Sequence, residues 1–183
     1  MSMKEIVGDY QAFFSLQLGR LNGLGIDISG CELSHLAFRT LTFKEYLQAR
    51  EKIEQHSISN IEKVWNGRPM SILQLKEPLV VGEGLEIPTI ELIPPVHQRV
   101  YKMGMEHIGV VIGEAVDEFS RTHRAVLTGQ QFQSPECEPY YITFFDDFTM
   151  IKFYENSLLR ICEGQHGMKY EGFSHVESWS LIN

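Results

Sequence analysis

The sequence contains no apolar run approaching the ~20 residues that span a bilayer. Its first residues, MSMKEIVGDYQ, offer neither a basic leader nor an apolar signal core, so neither export nor membrane insertion is expected. Cysteine is scarce: Cys31, Cys137 and Cys162 are odd in number and widely spaced, which excludes a disulfide framework and a CxxC knuckle. A reducing cytoplasm fits that usage. Positive charge is also short, with 16 Lys and Arg against 24 Asp and Glu and a net charge of −8. Nucleic acid and anionic membranes need a basic face to displace counterions, so neither is an expected partner. Neither GxGxxG nor GxxxxGK occurs, and no serine stands in a nucleophile-elbow context.

What is present describes an ordered globular chain. At 183 residues, 43% hydrophobic and 22% charged, it can bury a full core without staples. Ile6, Tyr10, Phe13, Phe14, Leu18 and Leu21 recur at helical spacing before Gly23 and Gly25, which predicts one or two helices in an N-terminal extension over 1–30. Leu33 to Thr40 reads as a buried strand, and Thr42 with Glu45 forms a capping box opening a helix to about Gln55. Ile61–Trp65 and Met70–Leu75 flank Asn66-Gly67, a tight-hairpin dipeptide, and Thr89–Ile93 is a further strand ended by Pro94-Pro95.

The order then repeats. Met105–Ile112 reads as a strand, Val116–Leu127 as a helix closed by Gly129, and Tyr140–Phe145 with Thr149–Tyr154 as a hairpin around Asp146-Asp147. One more strand is required between Gln130 and Gln133, and the tail after Ser157 reads as helical to about Cys162 and irregular beyond. SHLAFR matches EHIGVV and TIELI matches MIKFY, so the chain is a duplication. The expectation is an α+β fold of paired βαβββ modules, at 31–95 and 96–183, whose curved mixed sheet half-encloses a cavity.

Alternate side chains share a strand face, which groups His35 with Ala37 and Arg39, His107 with Met105 and Gly109, and Glu91 with Thr89 and Ile93. An ionisable group inside an apolar strand is costly unless a partner or a metal compensates it. Two imidazoles and a carboxylate converging from repeat-equivalent strands form a facial triad suited to Fe, Mn, Ni or Zn. The repeat sets Lys152 where a fourth carboxylate would stand, so it either pairs with Glu91 or binds an anionic substrate group beside the metal. Tyr154 shares its face. Arg39, Arg68 and Arg99 are candidate anion binders because the guanidinium fork donates two parallel hydrogen bonds, although Arg68 and Arg99 could equally be surface charges or dimer contacts. His56, His97, His123, His166 and His175 have no ligand-like spacing, and Asp146-Asp147 reads as a turn.

SHLAFRT, NGRPMSILQLKEP, TIELIPP, GMEHIGVVI and TMIKFYENS, in that order from about Leu33 to Ser157, resemble the YecM-like proteins. These are a branch of the vicinal oxygen chelate superfamily, which includes glyoxalase I, extradiol dioxygenases and bleomycin-resistance proteins. The resemblance implies metal positions at His35, Glu91 and His107, with Lys152 replacing the usual fourth Glu. Two functions follow as expectations. One is a metal-dependent enzyme, dioxygenase-like or isomerase-like, with Lys152 and Tyr154 as catalytic groups acting on a small oxygen-rich substrate. The other is a metal-free small-molecule binding protein in which Lys152 pairs with Glu91. A monomer or a homodimer fits either.

Overall fold

The computed structural model describes residues 1–65, 67–95, 102–166 and 171–176. Two short helices come first, α1 (Met3–Val7) and α2 (Tyr10–Gly23), whose opening amides are capped by the side chains of Ser2 and Asp9. The first βαβββ run follows as β1 (Glu32–Arg39), α3 (Phe43–Glu54), β2 (Ser57–Trp65), β3 (Arg68–Gly82) and β4 (Leu85–Ile93). Both halves of the Thr42/Glu45 capping box are made. Trp65 pairs with Arg68 across a two-residue loop in which Gly67 takes a φ of +76°. Asn66, its other residue, lies outside the described residues, as do His97 and Arg99.

The second run is β5 (Gly104–Val111), a single 3-10 turn at Gly113–Ala115, α4 (Val116–Thr122), β6 (Gly129–Gln130), β7 (Tyr140–Phe144) and β8 (Thr149–Tyr154). It departs from expectation in three places. The helix stops at Thr122, where the amides of Val126 and Leu127 turn back onto the His123 carbonyl instead of continuing the spiral. The required strand is only Gly129–Gln130, paired with Tyr141 and Tyr140. Gly129 therefore belongs to a strand and does not close the helix; a Cβ there would lie 2.4 Å from the Tyr141 hydroxyl. After β8, helix α5 (Leu158–His166) runs past Cys162, and β9 (Gly172–Ser174) follows.

The nine strands among the described residues form one sheet in the order β6-β7-β8-β5-β1-β4-β3-β2-β9. From the central antiparallel β1–β5 pair outward, each half reads the same, and β1–β4 and β5–β8 are both parallel. The duplication is thus a pseudo-twofold passing between β1 and β5. The halves join edge to edge as one sheet, and β9 lengthens the first by pairing parallel with β2.

The two faces of the sheet differ. One carries the main core, in which Leu36, Leu73, Ile90 and Phe153 pack with Phe14 and Leu21 of α2 and with Tyr46 and Ile53 of α3. Each large side chain so buried contributes ~1.5–3 kcal/mol, so this face holds most of the stability. The other face carries the polar candidates and is overlaid by α5. Leu158 and Cys162 sit on Ile61 and Ile72, and Ile161 sits against Cys137 and Tyr154, in two small separate clusters. Asp146 and Asp147 make the β7–β8 turn as expected. Asp147 accepts from the Thr149 amide and hydroxyl, and both carboxylates hold Arg20 of α2.

Candidate functional site

Two irregularities beside the pseudo-twofold build the site. In the β1–β5 ladder Leu33 faces Val110 but His35 already faces Gly109, so Ser34 is an extra residue on β1. Further along, Ala37 faces His107 but Phe38 faces Met105, so Glu106 is an extra residue on β5. An extra residue reverses the alternation that follows it. Ser34 and Glu106 consequently join His35 and His107 on the polar face. Met105, expected to share the face of His107, instead packs against the main core.

Each added residue holds the imidazole that follows it. Ser34 Oγ lies 2.8 Å from His35 Nδ1, and Glu106 Oε1 lies 3.2 Å from His107 Nδ1. With both Nδ1 atoms engaged, the two Nε2 atoms face each other at 3.2 Å. Glu91 arrives from β4, its Oε2 3.1 Å from His107 Nε2 and 3.6 Å from His35 Nε2. Despite those short distances Glu91 Oε2 is buried and makes no hydrogen bond of good geometry. One donor atom from each of His35, Glu91 and His107 lies within 4.8 Å of the others. Gly109 makes the approach possible, since a Cβ there would stand 2.5 Å from His35 Cε1.

The electrostatics match a buried site. Burial lowers His35 from 6.5 to about 3, so its imidazole is neutral across the physiological range. Burial alone would raise the Glu91 carboxyl, but His107 foremost, with His35 and Lys152, outweighs it and holds Glu91 well below the usual carboxylate range. Glu106 is likewise brought to about 2, burial being outweighed by His107 and Arg39. Burial, reinforced by the Glu91 charge, holds the Tyr154 hydroxyl protonated well above its ordinary range. Two imidazole nitrogens within hydrogen-bond distance of each other crowd against a carboxylate oxygen that has no hydrogen bond, an arrangement that fits a divalent cation.

The remaining candidates fall at different places. Lys152 on β8 is the positional equivalent of Glu91, facing Gly109 as Glu91 faces Ala37. Its Nζ donates to Gln131 Oε1 at 2.9 Å, and it makes no ion pair within 4.0 Å of Glu91. The Tyr154 ring stands edge-on to His35, with centroids 5.3 Å apart. Arg39 is buried, its Nε donating to Glu106 and its Nη1 to the Pro94 carbonyl. Arg68 is half-buried at the start of β3, and Glu155, just past the end of β8, is exposed. Ser34, Glu106, Gly109 and Gln131 were not singled out from sequence. The usable signal for the first two was their position immediately before each histidine of the repeat.

Among curated proteins none matches the sequence. A solved structure described as "Structural Genomics, Protein EC4020" superposes with a TM-score of 0.71 at 22% identity, covering 89% of this chain and 92% of that one. It shares the fold. A FosX fosfomycin resistance protein from Listeria monocytogenes, a mutant complexed with Mn(II) and a dihydroxypropylphosphonic acid, matches at 20% identity over 76% of this chain and all of that one, with a TM-score of only 0.29. A mutant 4-hydroxymandelate synthase from Streptomyces coelicolor matches at 13% identity over 67% of this chain and 48% of that one, with a TM-score of 0.35. No helix among the described residues is long and apolar enough to cross a membrane. The sequence model described as YecM protein matches residues 2–160, and the chain belongs to that family.

Proposed function

We propose that this chain binds a divalent metal ion through His35 Nε2, His107 Nε2 and Glu91 Oε2, and that it acts as an enzyme on a small, oxygen-rich, anionic substrate. The observation that carries the proposal is the orphaned Glu91 oxygen beside two imidazole nitrogens whose opposite ring atoms are already engaged. A bound Fe, Mn, Ni or Zn ion would supply Lewis acidity to adjacent oxygens of the substrate.

The chain's own residues define what kind of substrate fits. Glu106 and Arg39 cancel as a buried pair. With a divalent ion present, Glu91 and Lys152 leave two positive charges uncompensated in a dry site, so a dianion or a monoanion with a second ionisable oxygen restores balance. Lys152, oriented by Gln131, fixes an anionic group. Tyr154, kept protonated, donates its O–H to a substrate oxygen or delivers its proton. In this reading Arg39 holds Glu106, while Arg68 and Arg99 keep the candidate anion-binding role that the sequence gives them.

The metal-free alternative required an ion pair between Lys152 and Glu91, whereas the Lys152 hydrogen bond goes to Gln131. Metal analysis after loading with each of Fe, Mn, Ni and Zn, repeated on Glu91→Ala and His107→Ala, tests the proposal. One ion per chain in the wild type and its loss in both variants is expected. No uptake, or uptake that both variants retain, would overturn it.

A further inference from the structure

The His35 and His107 side chains are fully buried, and the space beside Glu91 amounts to about 10 Å³. That is room for roughly one water. Among the described residues, a substrate of several heavy atoms fits on this side of Glu91 only if part of that wall moves. The wall is made by Ile61, Lys63, Trp65, Met70 and Ile72 of the sheet, with Leu158 and Cys162 of α5. β3 is hydrogen-bonded on both flanks, by β2 and by β4, and β2 in turn lies between β3 and β9. Helix α5 is held far more lightly. Among the described residues its ties are two small apolar clusters, an exposed Arg160–Glu32 contact at 3.3 Å, an exposed Lys63–Gln165 bond at 3.2 Å, and one buried hydrogen bond.

That buried bond runs from the Leu158 amide to Ser34 Oγ at 2.8 Å. Leu158 is the first residue of the helix, so its N–H has no partner within the helix. The oxygen that satisfies it is the one that stands 2.8 Å from His35 Nδ1. His107 has no such link, since the carboxylate behind it is bound to Arg39.

We propose that α5 is the gate of the site and that Ser34 is the positioning residue through which the seated gate fixes the orientation of His35. The inference rests on the metal-binding reading given above. With α5 seated, the Leu158 N–H binds the Ser34 hydroxyl oxygen, and that hydroxyl shares a hydrogen bond with His35 Nδ1, so the imidazole is held with Nε2 toward Glu91 and His107. With α5 lifted, the hydroxyl loses that anchor and the ring is free to turn. Opening for substrate then loosens one imidazole and leaves the other fixed.

The test uses the full chain loaded with Co(II), and it reads the rate of metal loss to excess EDTA, the metal affinity and the visible absorption spectrum. Leu158→Pro removes the N–H at a helix position that accepts proline, and Leu158→Val keeps the N–H while trimming the same side chain. Leu158→Pro should lose cobalt about five- to tenfold faster than wild type, as expected for one lost hydrogen bond, with Leu158→Val close to wild type. Ser34→Ala should lose cobalt faster, bind it more weakly and shift the spectrum, and Ser34→Thr should restore all three. Wild-type loss rates in Leu158→Pro, or equal acceleration in Leu158→Val, would overturn the gate. An unchanged spectrum in Ser34→Ala would overturn the coupling, and if that variant does not fold, an unshifted spectrum in Leu158→Pro does so instead. Failure of the wild type to take up cobalt would overturn the proposed function and this inference together.

Discussion

The two halves of the site share one backbone plan and one histidine each, and differ in the residues that surround that histidine. Each contributes a histidine just after an extra strand residue, but the residue behind His35 is a neutral serine tied to a helix, while the one behind His107 is a carboxylate tied to Arg39. Two residues on, Ala37 in one half answers Gly109 in the other, and only the glycine leaves space for the opposite imidazole. On the neighbouring strands Glu91 answers Lys152. Duplication explains the convergence of the imidazoles, and divergence explains why one is backed by a charged pair and the other by a hydroxyl bound to a helix amide.

The sharpest way to break the difference is to make the halves alike. Lys152→Glu would set a second carboxylate in the position equivalent to Glu91, near a group already lacking a hydrogen bond. Two buried carboxylates without a cation cost about 3–5 kcal/mol relative to a compensated arrangement. Urea unfolding of the metal-free variant should show that loss, and Mn or Zn should recover most of it. A wild-type midpoint that is insensitive to metal would mean that Lys152 and Glu91 do not share the site.

Removing the charge behind one histidine tests the asymmetry of the supports. Glu106→Gln keeps an oxygen toward His107 but loses the carboxylate that strengthens it as a donor to metal. Metal affinity, measured by competition with a chelator, should fall about 10- to 100-fold. Wild-type affinity would show that the carboxylate adds nothing beyond the hydroxyl that supports His35.

Acid should act on His35 in the metal-free protein. Its pKa is lowered to about 3 in the fold from an ordinary 6.5, so between those values the unfolded chain binds a proton that the folded chain does not. Stability is therefore undiminished above pH 6.5 and falls as pH falls through that window. The loss at pH 5 is about 2 kcal/mol. Denaturant unfolding at pH 7.5 and pH 5 measures it, and His35→Gln should abolish that part of the difference.

Much of this arrangement was legible in the sequence because local signals agreed. The capping box at Thr42, the turn at Asp146-Asp147 and the matched SHLAFR and EHIGVV each specify a local geometry, and all three are made. The convergence of His35, Glu91 and His107 followed from the repeat and from the cost of placing ionisable groups in apolar strands. Ser34 and Glu106 were missed because strict alternation sends the neighbour of an inward residue outward, and only the ladder register shows an extra residue. Gly109 was read merely as a neighbour of His107, since its value to His35 lies across two strands. β6 and β9 are two and three residues long, too short for any period to register, and pairing with β7 and β2 forms them. The α5 cover was read only as a helical tail, because nothing in its spacing says which face it closes.

The smallest expected effect separates a structural lysine from a functional one. Were Lys152 the counter-ion of Glu91, its removal would strand a buried charge and cost about 3–5 kcal/mol. Its Nζ instead donates to Gln131, a neutral partner half-exposed on the loop after β6, and its ammonium acts on Glu91 only from beyond ion-pair distance. A hydrogen bond between a charged and a neutral group is worth about 1.5–3 kcal/mol when kept. Truncation to alanine also relieves the desolvation of the ammonium, which offsets much of that loss. Lys152→Ala should therefore unfold within about 1 kcal/mol of wild type and still take up one metal ion per chain. It should lose affinity for small anions such as oxalate, read as the shift that oxalate causes in the Co(II) spectrum. A loss of several kcal/mol with anion binding intact would reverse the assignment and make Lys152 a partner of Glu91.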